Sequence, residues 1–360
     1  MIVQILKALI KFIFFKRYDV TILTEAADWV ISKEAHALKK DFEAIGLSCN
    51  ISSFARFIKT DILIFGSLNC VRGDLSRRKI FHSRKMAWIF HGDFGVSDDI
   101  DRQLKLVLND KENFDVIFVA NQTMYERMLG HGFLEEQLMI RPISTDGDIY
   151  PLCGLDVDAR KGFCEDNALR DDIFLIGSFQ KDGVGWGEGL EPKLIKGPDV
   201  FLEVCELIAQ QRPIHVLLTG PARGYVKQGL KDRNLTFTHV ETTTPEELIP
   251  YYSVLDLYVM ASREEGGPKA ITESLTLGVP IVATPTGVTD LFLTQDKTFV
   301  SKEFSAASIV DVYSRHYGHL CMDETRRKYR DLVISIFGKH TLRNQLRDLF
   351  VEKGLISDDR

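Results

Sequence analysis

The stretch LDLYVMASREEGGPKAITESLTLGVPIVAT, residues 255–284, decides the fold. It begins with an apolar run, Leu255 to Ala261, that reads as a buried strand. Ser262 to Gly267 is polar loop, and its two glycines, Gly266 and Gly267, let the backbone come close to a ligand. Pro268 suits the first position of a helix, Gly278 the residue past its end, and Pro280 prevents continuation. The spacing therefore predicts a helix over residues 268–277, followed by the strand VPIVAT. A helix start presents unpaired N–H groups and the positive end of a dipole, which suits a phosphate. Glu265 stands just before this helix and Glu273 inside it. Carboxylates accept hydrogen bonds from hydroxyl pairs such as those of a sugar or ribose. Phosphate and hydroxyls together fit a nucleotide diphosphate sugar.

Outward from this stretch the same alternation recurs. Upstream lie the strand DIFLIGSF, the helix GPDVFLEVCELIAQ, the strands PIHVLLTG and TFTHV, and the helix TPEELIPYYSV, with a Thr cap and a Pro behind it. The first half shows DVTIL, a helical stretch from Trp29 to Ile45, then TDILIFGS, KMAWIFHGDFG, FDVIFVAN, the helix-like MYERMLGHG and QLMIRPI. Strands alternating with helices predict α/β architecture with doubly wound parallel sheets. The expected division is 1–150 as an N-terminal domain, 151–170 as a polar linker, 171–325 as a C-terminal domain and 326–360 as closing helices. In open α/β sheets ligands bind beyond the carboxyl ends of the strands, so two such domains facing each other imply a cleft lined by strand-to-helix loops.

At 360 residues the chain is long enough for two such domains. Hydrophobic residues make up 45% and charged residues 27%, a globular balance. A net charge of −6 speaks against nucleic acid as a partner. The six cysteines form no C-x-x-C pair and read as reduced, mostly buried thiols of a cytosolic protein. His316 and His319, with Cys321 nearby, lack the further ligands a zinc site needs and read as ordinary histidines.

The segment EGGPKAITESLTLGVPIVAT closely resembles the Glu-x7-Glu signature of retaining glycosyltransferases with the GT-B fold, most of all the large family 4 group. Glu265, Gly266, Glu273, Gly278, Pro280, Val282 and Ala283 match that group's pattern. The resemblance implies two Rossmann-like domains facing a central cleft, 1–150 on the acceptor side and 171–325 binding the nucleotide sugar, with the helices over 326–360 returning to the N-terminal domain. It implies that Glu273 binds the donor ribose and Glu265 contacts the transferred sugar, with the backbone around Gly266, Gly267, Pro268 and Lys269 holding sugar and diphosphate. Lys196, at the head of a helix in Lys196-Gly197-Pro198, would grip the diphosphate. Ser178 stands where the family places an arginine, and Gln180 or Lys181 would substitute on a loop, QKDGVGWGEGLEPKL, that is longer than usual. His91, ending the strand MAWIF, sits where the family has a histidine facing the sugar. Asp146 and Tyr150 match a further family stretch, with Ser144 in place of its glycine. The family's glycine pair near the first strand is absent, and TEAADW occupies that loop. Asp28, Trp29 and Ser67 lie on loops expected to face the acceptor.

The implied activity is transfer from a nucleotide sugar to a hydroxyl of a glycan or lipid-linked acceptor, with retention, no cofactor and no metal. No D-x-D motif ends a strand in the donor half. The same fold also serves sugar-nucleotide 2-epimerases, and Ser178 leaves room for a non-catalytic glycan-binding scaffold. The first 17 residues, apolar but interrupted by Lys7 and Lys11, are too broken to span a bilayer. They read either as a helix packed on its own domain or as a basic amphipathic helix in a membrane surface, which would put the protein on the inner face of a membrane. The basic run RRKIFHSRK, residues 77–85, reads as a solvated loop or as a contact for an anionic glycan or lipid.

Overall fold

The central apolar runs form strands buried on both faces, where polar residues are costly. A computed structural model shows how they pair. It describes residues 17–24, 30–53, 59–71, 84–89, 94, 98–153, 157–170, 172–185, 187–242, 244, 246–292 and 298–357. The N-terminal segment through residue 16, Asp28, Trp29, His91 and most of the basic run 77–85 lie outside the described residues. Contacts divide the chain into two units, Met1–Ser144 with Lys339–Arg360, and Thr145–Gly338.

The first unit runs β1 (Tyr18–Leu23), α1 (Val30–Ala44), β2 (Cys49–Ser52), β3 (Thr60–Phe65), β4 (Arg84–Ile89), α2 (Asp98–Asn109), β5 (Val116–Val119), α3 (Gln122–Gly130) and β6 (Leu138–Ile140). Its six strands are parallel, in the order β2-β1-β3-β4-β5-β6. Alternate residues serve opposite faces, as the strand period of two requires. Val20, Ile62, Met86 and Val116 pack with Leu38 and Phe42 of α1 on one side. Leu63, Ala87, Ile89 and Ile117 pack with Leu104 of α2 and Met124 of α3 on the other.

The second unit runs α4 (Val157–Asp166), β7 (Phe174–Ser178), α5 (Pro198–Ala209), β8 (Ile214–Thr219), α6 (Gly224–Asp232), β9 (Thr236–Val240), α7 (Ile249–Ser253), β10 (Leu257–Met260), α8 (Lys269–Leu277), β11 (Ile281–Ala283), α9 (Ala306–Leu320) and α10 (Asp323–Phe337). Its five strands are also parallel, in the order β11-β10-β7-β8-β9. The chain winds from β7 to β9 and then returns to start β10 beside β7. The carboxyl ends of β7 and β10 therefore meet at the topological switch point, where ligands bind in such sheets. The last helix, α11 (Lys339–Glu352), belongs to the first unit, whereas α10 belongs to the second.

Several local expectations change. The polar stretch expected as linker contains α4, whose Cys164 is fully buried. Arg160 of that helix pairs with Asp256 at 2.8 Å and donates to the Val254 carbonyl at 3.0 Å. The helix read over TPEELIPYYSV is shorter and split, a 3-10 turn over Glu246–Leu248 and then α7, because Pro250 lacks the N–H that would continue one hydrogen-bond ladder. Pro268 is the residue before α8 rather than its first, with an extended ψ of 110°. The end of α8 is as read: Gly278 is left-handed at φ 78°, and the Val279 N–H closes back on the Ser274 carbonyl at 2.8 Å. Of the basic run 77–85, Arg84 pairs with Asp115 at 3.2 Å, and Lys85, 5% exposed, pairs with Asp110 at 2.7 Å. Those two charges are engaged within their own unit.

Candidate nucleotide-sugar site

The loop after β10 is held rigid from beneath. Ser262 and Thr284 are fully buried, and the Thr284 hydroxyl donates to the Ser262 carbonyl. The Ser262 hydroxyl in turn donates to Glu265 Oε1 at 2.8 Å. Gly287 packs under the same loop at φ 61°, and a Cβ there would stand 2.9 Å from the Glu265 carbonyl. Glu265 is thereby fixed at the mouth of the switch point.

Lys196 reaches the same atom from the β7 side. Its Nζ lies 2.6 Å from Glu265 Oε1, and the pair is largely shielded, with side-chain exposures of 23% and 10%. Gly197 makes this approach possible. It is left-handed at φ 63°, and a Cβ on it would fall 1.9 Å from the Ala261 carbonyl oxygen. Arg263 braces the turn: it donates to the Leu194 carbonyl at 2.7 Å and pairs with Asp199 through both nitrogens at 2.8 and 2.6 Å. Gln180 donates to the Lys196 carbonyl at 3.0 Å. Gly197 and Pro268, the residues that precede α5 and α8, provide no side-chain cap. Two helix starts thus present backbone N–H groups beside one ammonium, an arrangement that suits an anion. Gly266, Gly267 and Lys269 lie on the loop and first turn leading into α8.

Glu273 sits deeper than the sequence suggested. It is 7% exposed, and both carboxylate oxygens are engaged, Oε1 by the Tyr150 hydroxyl and Oε2 by the Tyr252 hydroxyl, each at 3.0 Å. Burial pushes its pKa up, while Lys269 and the two phenols pull it down. Tyr252 stacks on Tyr258, ring centroids 5.5 Å apart, and the Tyr258 hydroxyl accepts from the Phe179 N–H at 2.8 Å. Tyr150, matched in sequence only as a fold marker, is therefore a direct partner of Glu273.

Ser178 is 1% exposed and faces inward. Arg223, from the loop after β8, occupies its surroundings. Its guanidinium donates to the Ser178 carbonyl at 2.6 Å, the Ser178 hydroxyl at 3.2 Å and the Thr219 carbonyl at 2.7 Å, and pairs with Asp182 at 3.0 Å. Sequence reasoning missed Arg223, Ser262, Tyr252 and Gly287. Only the position of Ser262 and Arg223 directly after strands could have flagged them. Of the other expected positions, Ser67 is buried beside Cys70, with its hydroxyl 3.6 Å from the sulfur. Among the described residues no group of three His, Cys, Asp or Glu side chains is placed to hold a metal ion. His316 and His319 lie on α9.

Residues 188–316, all in the second unit, match the family described as glycosyl transferases group 1. No curated protein sequence matches the chain. Solved structures do. Sucrose-phosphate synthase from Thermosynechococcus elongatus aligns with a TM-score of 0.72 at 15% identity, over 93% of this chain and 98% of that one. A glycosyltransferase from Rickettsia africae ESF-5 aligns at 0.68 and 14%, over 96% and 100%. HepE from Anabaena, solved in complex with UDP-glucose, aligns at 0.70 and 12%, over 93% and 100%. At such identities the likeness is one of fold, and the fold is GT-B, with two Rossmann-like units. The family match spans the stretch that holds Lys196, Glu265 and Glu273, and glycosyl transferases group 1 is the class this stretch is similar to.

Proposed function

We propose that this enzyme moves a hexosyl group from a nucleotide diphosphate sugar to a hydroxyl of a glycan or lipid-linked acceptor, with retention and without a metal ion. The observation that carries the reading is the Lys196–Glu265 pair at 2.6 Å, set where two uncapped helix starts converge at a switch point. When a donor binds, its diphosphate oxygens become the acceptors for the Lys196 ammonium and the N–H groups of α5 and α8. Glu265 is then left to accept from hydroxyls of the sugar. As the bond from the anomeric carbon to the diphosphate breaks, negative charge grows on the leaving oxygens, where the ammonium and helix dipoles already stand. The acceptor oxygen bonds to the same face of that carbon and passes its proton to the leaving diphosphate, which gives retention.

Glu273 is the proposed ribose ligand. An ionised carboxylate offers about four acceptor positions, and the two tyrosines use two of them, so ribose hydroxyls retain partners. The six cysteines are thiols, which fits a reducing compartment such as the cytosol. The neighbour solved with UDP-glucose makes uridine nucleotides the first to try. A thermal-shift series with UDP, GDP and ADP sugars is expected to raise the unfolding midpoint for one base, since a ligand selective for the native state stabilises it. Glu273→Ala is expected to abolish most of that shift. An Ala variant that binds the nucleotide sugar as tightly as the parent overturns the ribose role. The absence of any shift with every sugar nucleotide overturns the donor reading.

A further inference from the structure

Residues 145–153, which precede α4, are fastened along α8. The Ile149 and Tyr150 N–H groups donate to the Asp146 carbonyl at 3.1 and 3.2 Å, and the Asp148 N–H to the Asp146 carboxylate at 3.1 Å, which closes a tight turn. Arg330 of α10 grips that turn. Its guanidinium donates to the Gly147 carbonyl at 2.9 Å, to the Tyr150 carbonyl and to the carbonyl of Thr276 on α8. The Cys153 thiol lies 3.6 Å from the carbonyl of Leu277, at the end of the same helix. Tyr150 is buried in the core that includes Leu275, Tyr252 and Tyr329, and its hydroxyl stands 3.0 Å from Glu273 Oε1. The grip on its backbone and the burial of its ring together fix where that hydroxyl stands.

Several groups face Glu273. Tyr150 and Tyr252 donate to its two oxygens, Lys269 stands one turn earlier on α8, and Tyr258 stacks on Tyr252. Asp146 and Glu246 add negative charge around Tyr150. The Tyr150 phenol is held above its ordinary range, first by burial, then by Glu273 and last by Glu246 and Asp146, so it keeps its proton and donates. A donor aimed at a carboxylate favours the charged form. Burial draws Glu273 towards its protonated form, and Lys269, Tyr252 and Tyr150 oppose that. A protonated carboxyl gives up acceptor positions, and ribose hydroxyls need acceptors.

We propose that Tyr150 is a positioning residue for the nucleotide: its hydroxyl keeps Glu273 an oriented acceptor for the ribose hydroxyls. The inference rests on the ribose role given to Glu273 above, and Tyr150 acts on the ligand only through that carboxylate. The test is titration calorimetry of the full chain with UDP-glucose, GDP-glucose and ADP-glucose, from pH 8 down to pH 5. These diphosphates stay ionised throughout, so a fall in affinity at acid pH reports on the protein. In the parent, affinity should fall as pH drops through the folded-state pKa of Glu273. Tyr150→Phe keeps the ring and removes the donor, so less acid suffices to protonate Glu273. At the pH where the parent has lost half its affinity, the variant is expected to bind about tenfold more weakly, as the loss of one hydrogen bond to a charged group implies. At pH 8 the difference should be smallest. Glu273→Gln, which has nothing to protonate, should bind weakly without the acid fall. A loss in Tyr150→Phe that is equal at every pH, or no loss at all, would show that Tyr150 only packs, and the inference is wrong. An acid fall that survives in Glu273→Gln belongs to another group and overturns the inference while the donor reading stands. If none of the three sugar nucleotides binds the parent, the donor reading fails and takes the inference with it.

Discussion

Glu273 is a carboxylate suspended between two phenols, and that placement sets its chemistry. Burial raises its pKa, and the hydroxyls of Tyr252 and Tyr150 work against that rise by stabilising the charged form. A carboxylate whose folded pKa lies above its unfolded value contributes stability that is present at acid pH and lost as pH rises through the folded pKa. Tyr252→Phe withdraws one donor and should move that pKa further up. The variant is expected to lose about 1.5–3 kcal/mol at pH 7.5, the worth of a hydrogen bond to a charged group. The loss should shrink at pH 4.5, where Glu273 carries its proton in the folded state. Urea midpoints at the two pH values measure this, and an equal loss at both would show that Glu273 is not ionised at neutral pH. Glu265, Glu273 and Lys196 were legible in the sequence because their spacing is local to two helix starts. The tyrosines were not, since Tyr150 reaches Glu273 across 123 positions of chain and a phenol in a core looks like any other aromatic.

At the scale of elements, the turn into α5 shows how one backbone conformation places a charge. The 3-10 turn Leu194–Lys196 ends on Gly197, whose left-handed geometry turns the chain into α5 against the Ala261 carbonyl. Gly197→Ala brings a strain of about 1–2 kcal/mol for the left-handed residue alone. The contact at 1.9 Å then forces backbone apart, so Lys196 should retreat from Glu265. The expected outcome is a folded but destabilised protein whose nucleotide-sugar affinity falls as far as that of Lys196→Ala; unchanged affinity would show that the turn does not position Lys196. Gly-Pro at this helix head was readable in sequence as a start signal. The helix α4 was not, because VDARKGFCED carries a single buried residue, Cys164, and no apolar stripe. β2 was likewise hidden, since CNIS is short and half of it is polar.

For the molecule as a whole, the sequence order of the elements is not their order in space. The first unit takes its last helix, α11, from beyond the second, so residues 1–144 alone lack part of their core. Leu346 and Phe350 of α11 are fully buried among Phe42, Leu38 and the strands, with the Phe42 and Phe350 rings 5.2 Å apart. A polar anchor accompanies them. The buried Arg141 donates to the Leu342 carbonyl at 2.7 Å and pairs with Asp41 at 2.7 Å, and Arg343 of α11 also reaches Asp41 at 3.2 Å. The Arg141–Asp41 pair lies outside α11, so loss of α11 takes from it the Leu342 carbonyl and Arg343 and also bares the apolar face. A helix was expected within 326–360, but no local feature of TLRNQLRDLFVEK names the sheet that it covers. Phe350→Ala separates the two contributions, because it leaves the ion pairs in place. It should destabilise the first unit by about 3–5 kcal/mol, the usual range for deleting a buried phenyl ring. Hydrogen exchange followed peptide by peptide is the measurement. Faster exchange is expected in β1, β3, β4 and β5, while β7, β8 and β10 keep their protection because their cores contain no α11 residue. Uniform loss of protection in both sets of strands would mean that the two units unfold as one.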